Sequence, residues 1–296
     1  MNANERLQRF SESQGFVAAL DQSGGSTPKA LELYGISGNE YADAGEMMDL
    51  MHAMRTRIVT SPEFNGDKVL GAILFERTMD SEIGGMPAAD YLWNERRVLP
   101  FLKIDDGLEE EECGINLMRP ITNLEDKLRH ACEKNIFGTK MRSVIHEAEE
   151  SGVARIVDQQ FELAQAILQF GLVPIVEPEI SIHCRAKAAC EDLLRDALLR
   201  HLDALPEGAD VALKLTLPET SDQYQTVIAH PRVLRVTALS GGYDRVEACR
   251  RLALNNGMIA SFSRALAEGL DRSMSDAEFN RALGASIDAI HKASSS

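Results

Sequence analysis

The amino-acid sequence predicts a (β/α)8 TIM barrel, an α/β fold in which residues 1–296 form a single domain. Three observations carry that expectation. Eight short apolar runs recur along the chain, and stretches with helically spaced apolar residues separate them. The length also suits eight such units, for which ~250 residues is typical.

The runs are GFVAALD (15–21), VLGAILFE (69–76), LPFLKID (99–105), FGTKM (137–141), LVPIVEPE (172–179), VALKLT (211–216), VLRVTALS (233–240) and MIASFS (258–263). Their apolar character is mostly continuous rather than alternating, as expected of strands covered on both faces of a parallel sheet. Between them, Ile156, Val157, Phe161, Ala164, Ile167 and Leu168 follow helical spacing. Leu193, Leu194, Ala197, Leu198, Leu202 and Leu205 do the same, as do Phe279, Leu283, Ile287 and Ile290. Gly171 suits a helix stop, and Pro28 a first helical turn. The connection from the first run to the second is the longest, so extra helix is expected around residues 43–57, where Met47, Met48, Met51 and Met54 suit core or oligomer packing. Residues 1–14 read as a helical extension and 293–296 as a disordered tail. No repeat or linker divides the chain.

Composition narrows the function. Lys plus Arg number 31 against 46 Asp plus Glu, a net charge of −15, which excludes coating nucleic acid or an anionic membrane as the main role. The acidic run DDGLEEEE (105–112) reads as a solvated face. The five cysteines form no C-x-x-C pair, and the polar start MNANERLQRFSESQG carries no apolar leader, so a cytoplasmic location is expected. The seven histidines show no ligand-like spacing, with His183 read as a solvated loop residue, and no metal or other cofactor is expected.

In this fold the chemistry sits at the carboxyl ends of the strands. Those positions hold Asp21, Glu76, Lys103, Lys140, Arg142, Glu177, Glu179, Lys214, Ser240, Ser263 and Arg264. Three lysines in apolar runs, converging on one barrel mouth with carboxylates, point to carbonyl chemistry. A free lysine with pKa ~10.4 is a poor nucleophile at neutral pH. Burial and neighbouring cations release the neutral amine, which forms a Schiff base with a ketone or aldehyde while carboxylates move the protons. The pattern does not single out the covalent lysine. Two small-residue loops, DQSGGSTPK (21–29) and LSGGY (239–243), open at the same mouth and suit anions. Two such loops imply a substrate with two phosphates.

Taken together, GFVAALDQSGGSTPKAL, MRTRIVTSP, GAILFE, PFLKID, FGTKMR, VPIVEPEI, ALKLTLP, LSGGY and IASFSRAL resemble class I fructose-bisphosphate aldolase of the compact bacterial type. The likeness runs in order from about residue 15 to residue 290. It implies Lys214 as the Schiff-base lysine, Glu177 as the acid/base glutamate with Glu179 its companion, and Asp21 as the contact of the hydroxyl deprotonated in carbon–carbon cleavage. Lys140, Arg142 and Lys103 match the family's basic residues on the third and fourth strands. Ser240, Gly241, Gly242, Ser263 and Arg264 match the site for the phosphate next to the ketone; Ser23, Ser26 and Lys29 fall in the loop associated with the distal phosphate. Animal relatives carry a second basic residue where Ala30 stands here, which shifts distal-phosphate binding toward Lys103 and Arg142. They also end in a tyrosine used in proton exchange, whereas this chain ends HKASSS, so another group or water protonates the enamine. The resemblance implies a glycolytic and gluconeogenic lyase acting on fructose 1,6-bisphosphate, with a homo-oligomer compatible. The alternatives are another Schiff-base barrel, such as a transaldolase or deoxyribose-phosphate aldolase, and a non-catalytic scaffold.

Overall fold

A computed structural model of the chain describes residues 3–23 and 27–296. Eight parallel strands form its centre: β1 (Phe16–Leu20), β2 (Val69–Leu74), β3 (Leu99–Lys103), β4 (Gly138–Ile145), β5 (Val173–Ile180), β6 (Val211–Thr216), β7 (Val233–Leu239) and β8 (Met258–Phe262). Each pairs with the next, and β8 pairs with β1 through Val17↔Ser261 and Ala18↔Phe262, which closes the ring. The expected (β/α)8 barrel is therefore present. The strands match the apolar runs closely except β4, which continues four residues past Met141. Arg142 interrupts the apolar run there because it points inward, toward the barrel mouth. The second half of β4 also carries a short antiparallel partner, Ile115–Asn116.

Helices α1 (Ala3–Glu12), α2 (Thr27–Leu33), α3 (Ala44–Thr60), α4 (Glu76–Met79), α5 (Ala88–Asn94) and α6 (Leu124–Glu133) belong to the first half of the chain. Helices α7 (Glu150–Leu168), α8 (Lys187–Ala204), α9 (Gln225–Ile228), α10 (Arg245–Leu252), α11 (Arg264–Ala267) and α12 (Asp276–Ala293) complete the shell. Several start on side-chain caps: Asp43 accepts from Glu46 N–H, Asp244 from Glu247 N–H, and Ser275 with Glu278 forms a reciprocal capping box. Such caps satisfy amide groups that the first helical turn leaves unpaired. No helix among the described residues is long and apolar enough to cross a membrane.

Period-two alternation sorts the barrel interior into tiers. Val17, Ala19, Leu99, Phe101, Val173, Ile175, Ala212 and Ile259 form one buried apolar cluster. Two residues further along the same strands or their ends stand Asp21, Lys103, Glu177, Lys214 and Ser261. The lower tier is thus a packed floor and the upper tier a polar mouth. Outward-facing Ala18, Leu20, Val176, Leu213, Leu215 and Phe262 pack under the helices. Phe101 fits inside the ring because its neighbours there are glycines. A Cβ on Gly138 would lie 2.8 Å from the Phe101 ring and 2.3 Å from the Val173 carbonyl oxygen; one on Gly71 would lie 2.8 Å from the ring.

The amino-terminal end of the barrel is plugged by α1. Phe10 is fully buried, with its ring centroid 5.2 Å from Phe101 and 5.7 Å from Phe137. Arg235 holds the plug by donating to the Phe10 carbonyl oxygen at 2.9 Å and to that of Ser13 at 3.0 Å. The opposite terminus differs from the disordered tail expected for 293–296. Ser294 is buried, and its hydroxyl accepts from Ala260 N–H in β8 at 3.0 Å while donating to the Ile290 carbonyl oxygen at 2.8 Å. The Gly257 N–H donates to the Ser296 carbonyl oxygen at 3.2 Å. A serine run reads as unstructured by composition, yet a hydroxyl supplies the donor and acceptor that a helix end and a strand start leave open.

Removing the plug's anchor tests its weight. Phe10→Ala is expected to cost about 3–5 kcal/mol, the range for truncating a buried aromatic, measured by chemical denaturation. A loss below about 1 kcal/mol would mean that α1 is dispensable to the barrel.

Candidate active site

The carboxyl-terminal mouth of the barrel opens into a cavity of about 940 Å³. The register of the strands delivers its chemistry. Lys103 of β3 pairs with Lys140 of β4, Arg142 of β4 with Glu177 of β5, and Lys214 of β6 with Thr237 of β7. Arg142 and Glu177 therefore meet as base and acid across adjacent strands, with two lysines side by side on β3 and β4.

Four of the mouth's side chains form a buried chain of charges. Lys140 Nζ lies 2.6 Å from Asp21 Oδ2 and 3.0 Å from Glu177 Oε2, and Lys214 Nζ lies 3.0 Å from Glu177 Oε1. All four side chains are buried. Burial alone would raise the Asp21 carboxyl, but Lys140 and Lys214 beside it hold it well below the usual carboxylate range. Glu177 is lowered in the same way, with Lys140, Lys214 and Arg142 outweighing its desolvation. Burial would depress Lys140, yet Asp21 and Glu177 push it up. Asp21, Glu177 and Lys140 are thus ionised at neutral pH. Helix α7 fixes the height of Glu177: the buried Gln160 accepts from the Glu177 N–H at 2.8 Å and donates to Ser143 Oγ at 3.0 Å. Thr216 ties the ends of β5 and β6 by donating to the Ile180 carbonyl oxygen and accepting from the Ile180 N–H.

The remaining expected residues spread around the rim. Lys103 Nζ pairs with Asp105 at 2.6 Å, and Arg142 Nε with Glu179 at 2.5 Å. Glu179 more than offsets burial and keeps Arg142 firmly protonated. Ser23, Lys29, Glu76, Ser240, Gly241, Ser263 and Arg264 all line the cavity. Gly241 has a φ of +62°, and a Cβ there would lie 2.6 Å from Ile182 Cγ2, so the turn requires glycine. Gly242 stands just behind the lining, 3.5 Å from the Arg264 guanidinium as measured from the Cβ it lacks. Ser26 falls outside the described residues. His183 is exposed and away from the cavity. Among the described residues, no three His, Cys, Asp or Glu side chains are placed to share a metal ion.

Several residues that line the cavity or stand behind its lining escaped the sequence reading. Gln22 Nε2 donates to Ser263 Oγ at 2.6 Å, joining the loops after β1 and β8. The fully buried Arg55 of α3 donates to the Gln22 carbonyl oxygen and to Thr78 Oγ1, and burial pushes its pKa down to about 10 against the pull of Asp21. The acidic run 105–112 is only partly the solvated face expected. Glu109–Glu112 are exposed, but Asp105 is buried against Lys103 and Asp106 binds Lys127 and Thr122. Position directly after a strand was the available signal for Asp105. Arg119 and Lys127 reach the cavity from segments well downstream of β3, and nothing local in the sequence marks them.

No family-wide sequence profile matches the chain. Proteins named fructose-bisphosphate aldolase class 1 from Synechocystis, Porphyromonas gingivalis and Clostridium acetobutylicum are 56 %, 52 % and 53 % identical to it. Each alignment covers 98 % of this chain and 97–98 % of the relative. Among solved structures, fructose-bisphosphate aldolase from Plasmodium falciparum shares the fold with a TM-score of 0.77 at 20 % identity, over 99 % of this chain and 93 % of that one. A protein from Corynebacterium glutamicum shares it more loosely, with a TM-score of 0.57 at 12 % identity, over 98 % and 92 %. By full-length identity above one half to three such relatives, the chain belongs to the class 1 fructose-bisphosphate aldolase family, whose members are lyases.

Proposed function

We propose that the chain reversibly cleaves fructose 1,6-bisphosphate to dihydroxyacetone phosphate and glyceraldehyde 3-phosphate through a Schiff base on Lys214. The observation that carries this reading is the buried chain Lys214–Glu177–Lys140–Asp21, with contacts of 2.6–3.0 Å. A lysine, a proton acceptor in hydrogen-bond reach and a fixed counter-charge are the parts that iminium chemistry needs.

Lys214 passes a proton to Glu177 and attacks C2 of the open-chain sugar with its neutral amine. Glu177 returns that proton to the C2 oxygen and then relays a second from the attacking nitrogen, so that water leaves, an iminium remains and Glu177 is again a carboxylate. Asp21 then orients the C4 hydroxyl and Glu177 takes its proton. The C3–C4 bond breaks, its electron pair moves through C2 to the iminium nitrogen, and glyceraldehyde 3-phosphate departs as the aldehyde. A proton is delivered to C3 of the enamine, and hydrolysis frees dihydroxyacetone phosphate and Lys214. Lys140 stabilises developing negative charge on oxygen from a site with little water. Glu179 keeps Arg142 aimed at the mouth. Ser240, the Gly241–Gly242 turn, Ser263 and Arg264 suit the phosphate beside the ketone, since small residues let backbone N–H groups approach an anion. We place the reaction in the cytoplasm; five unpaired cysteines fit a reducing compartment.

Borohydride reduction in the presence of dihydroxyacetone phosphate should leave a mass-spectrometric adduct on Lys214. An adduct on Lys103 or Lys140 instead would reassign the nucleophile. Glu177→Gln keeps the shape but cannot take a proton, and kcat should fall by about 10²–10⁴; a loss under about tenfold would remove Glu177 from proton transfer.

The depressed carboxylates also set acid stability. A carboxyl whose native pKa lies below its unfolded value stabilises the fold fully above the ordinary range, near 3.8 for Asp21 and 4.5 for Glu177. That contribution is lost as the pH falls from there through the depressed native values. Asp21→Asn should therefore melt below the wild type at neutral pH, with the gap narrowing as the pH drops under about 4. A gap that stays constant with pH would contradict the linkage.

A further inference from the structure

The cations of the cavity divide by whether a carboxylate already holds them. Lys103 pairs with Asp105, Lys127 with Asp106, Lys140 with Asp21 and Glu177, Arg142 with Glu179, and Lys214 with Glu177. Among the described residues, three lining cations have no side-chain partner: Arg264, Lys29 and Arg119. Arg264 follows β8 beside the Gly241–Gly242 turn. Arg119 stands across the mouth from that turn, which follows β7. Its backbone N–H donates to the Gly107 carbonyl oxygen at 3.0 Å, above the end of β3, and β3 lies four strands from β7 around the ring.

The base of Arg119 is fixed although its head is exposed. Residues 107–119 fold back on themselves through an antiparallel bridge between Leu108 and Met118. Gln159 of α7 clamps the buried Met118 from both sides, accepting from its N–H and donating to its carbonyl oxygen, each at 2.9 Å. Pro120 follows and restricts the Arg119 backbone to extended conformations. A guanidinium held at its root over an anion cavity, with no carboxylate neutralising it, is a two-pronged phosphate donor waiting for its acceptor.

We propose that Arg119 is a further specificity-determining residue for the phosphate remote from the ketone, acting beside Lys29, Lys103 and Arg142. The inference rests on the Schiff-base reading above, which fixes the ketone end near Lys214. Lys103 and Arg142 each have a carboxylate partner, Asp105 and Glu179. Arg119, like Lys29, brings an uncompensated charge, and Ala30 contributes none. A substrate without the distal phosphate gains nothing from Arg119.

The condensation reaction separates the two ends, because glyceraldehyde 3-phosphate carries only the distal phosphate and dihydroxyacetone phosphate only the proximal one. Arg119→Ala should raise KM for glyceraldehyde 3-phosphate about tenfold or more, the equivalent of ~1.4 kcal/mol, and leave KM for dihydroxyacetone phosphate unchanged. Arg119→Lys keeps the charge but not the fork, and should give a smaller rise in the same constant; it decides the matter if the alanine variant misfolds. An unmoved KM for glyceraldehyde 3-phosphate, or equal rises for both substrates, overturns the assignment. Borohydride trapping on the same proteins keeps the two readings apart. Failure to trap Lys214 in the wild type would bring down the Schiff-base reading, whereas normal trapping with unshifted constants would bring down Arg119 alone.

Discussion

A buried ammonium cannot stand alone in a protein interior, and Lys140 is the point on which the site turns. Its side chain is almost wholly buried, so its charge must be met by carboxylates at contact distance. Asp21 and Glu177 supply them at 2.6 and 3.0 Å. Glu177 can then turn its other oxygen to Lys214, so one carboxylate, fixed by the first buried cation, is held against the second. Replacing such a network with apolar side chains of equal volume is often neutral or stabilising for a fold. Its presence is therefore better explained by chemistry than by stability.

Closure of the barrel is what brings these four residues together. Asp21 follows β1, Lys140 lies on β4, Glu177 on β5 and Lys214 on β6, so their contacts span 193 residues of chain from Asp21 to Lys214. Alternation along each strand puts them two positions above an apolar floor, and that floor keeps water out from below. Phe101 fills the floor where Gly71 and Gly138 make room, and Phe10 seals it from beneath. The rigidity of the mouth thus depends on packing at the opposite end. Helix α7 does similar work from outside the ring, since Gln160 sets the backbone of Glu177 and Gln159 the backbone at Met118.

Legibility in the sequence followed the strength of local contrast. A lysine inside VALKLT or FGTKM stands out against its apolar neighbours, so Lys214 and Lys140 could be read as inward-facing, and the eight runs gave the ring. Asp105 has the same kind of position, but it opens a run of acids whose later members are exposed, and the run's average character hid its first member. Arg142 masked the length of β4 because an inward polar residue looks like the end of a buried strand. Ser294 was misread since composition reports propensity and not the open hydrogen-bond positions of a helix end. Arg119 and Arg55 lay beyond local reading. Arg119 reaches the mouth because its segment folds back onto Gly107, and Arg55 supports the mouth from α3 through the Gln22 carbonyl oxygen.

Burial also resolves the conflict between an acidic chain and an anionic substrate. The whole sequence carries −15, yet eight lysine and arginine side chains face six carboxylates among the residues lining the cavity. Surface acids farther away than the Debye length, ~8 Å at physiological salt, are largely screened from it. Within the cavity the two kinds of cation are not equivalent. Those deep in the barrel are matched by carboxylates, because an unmatched charge there would be expelled or neutralised. Those at the exposed rim stay solvated while the site is empty, so leaving them unmatched costs little. Charge balance therefore holds deep in the barrel, and the surplus positive charge lies at the rim.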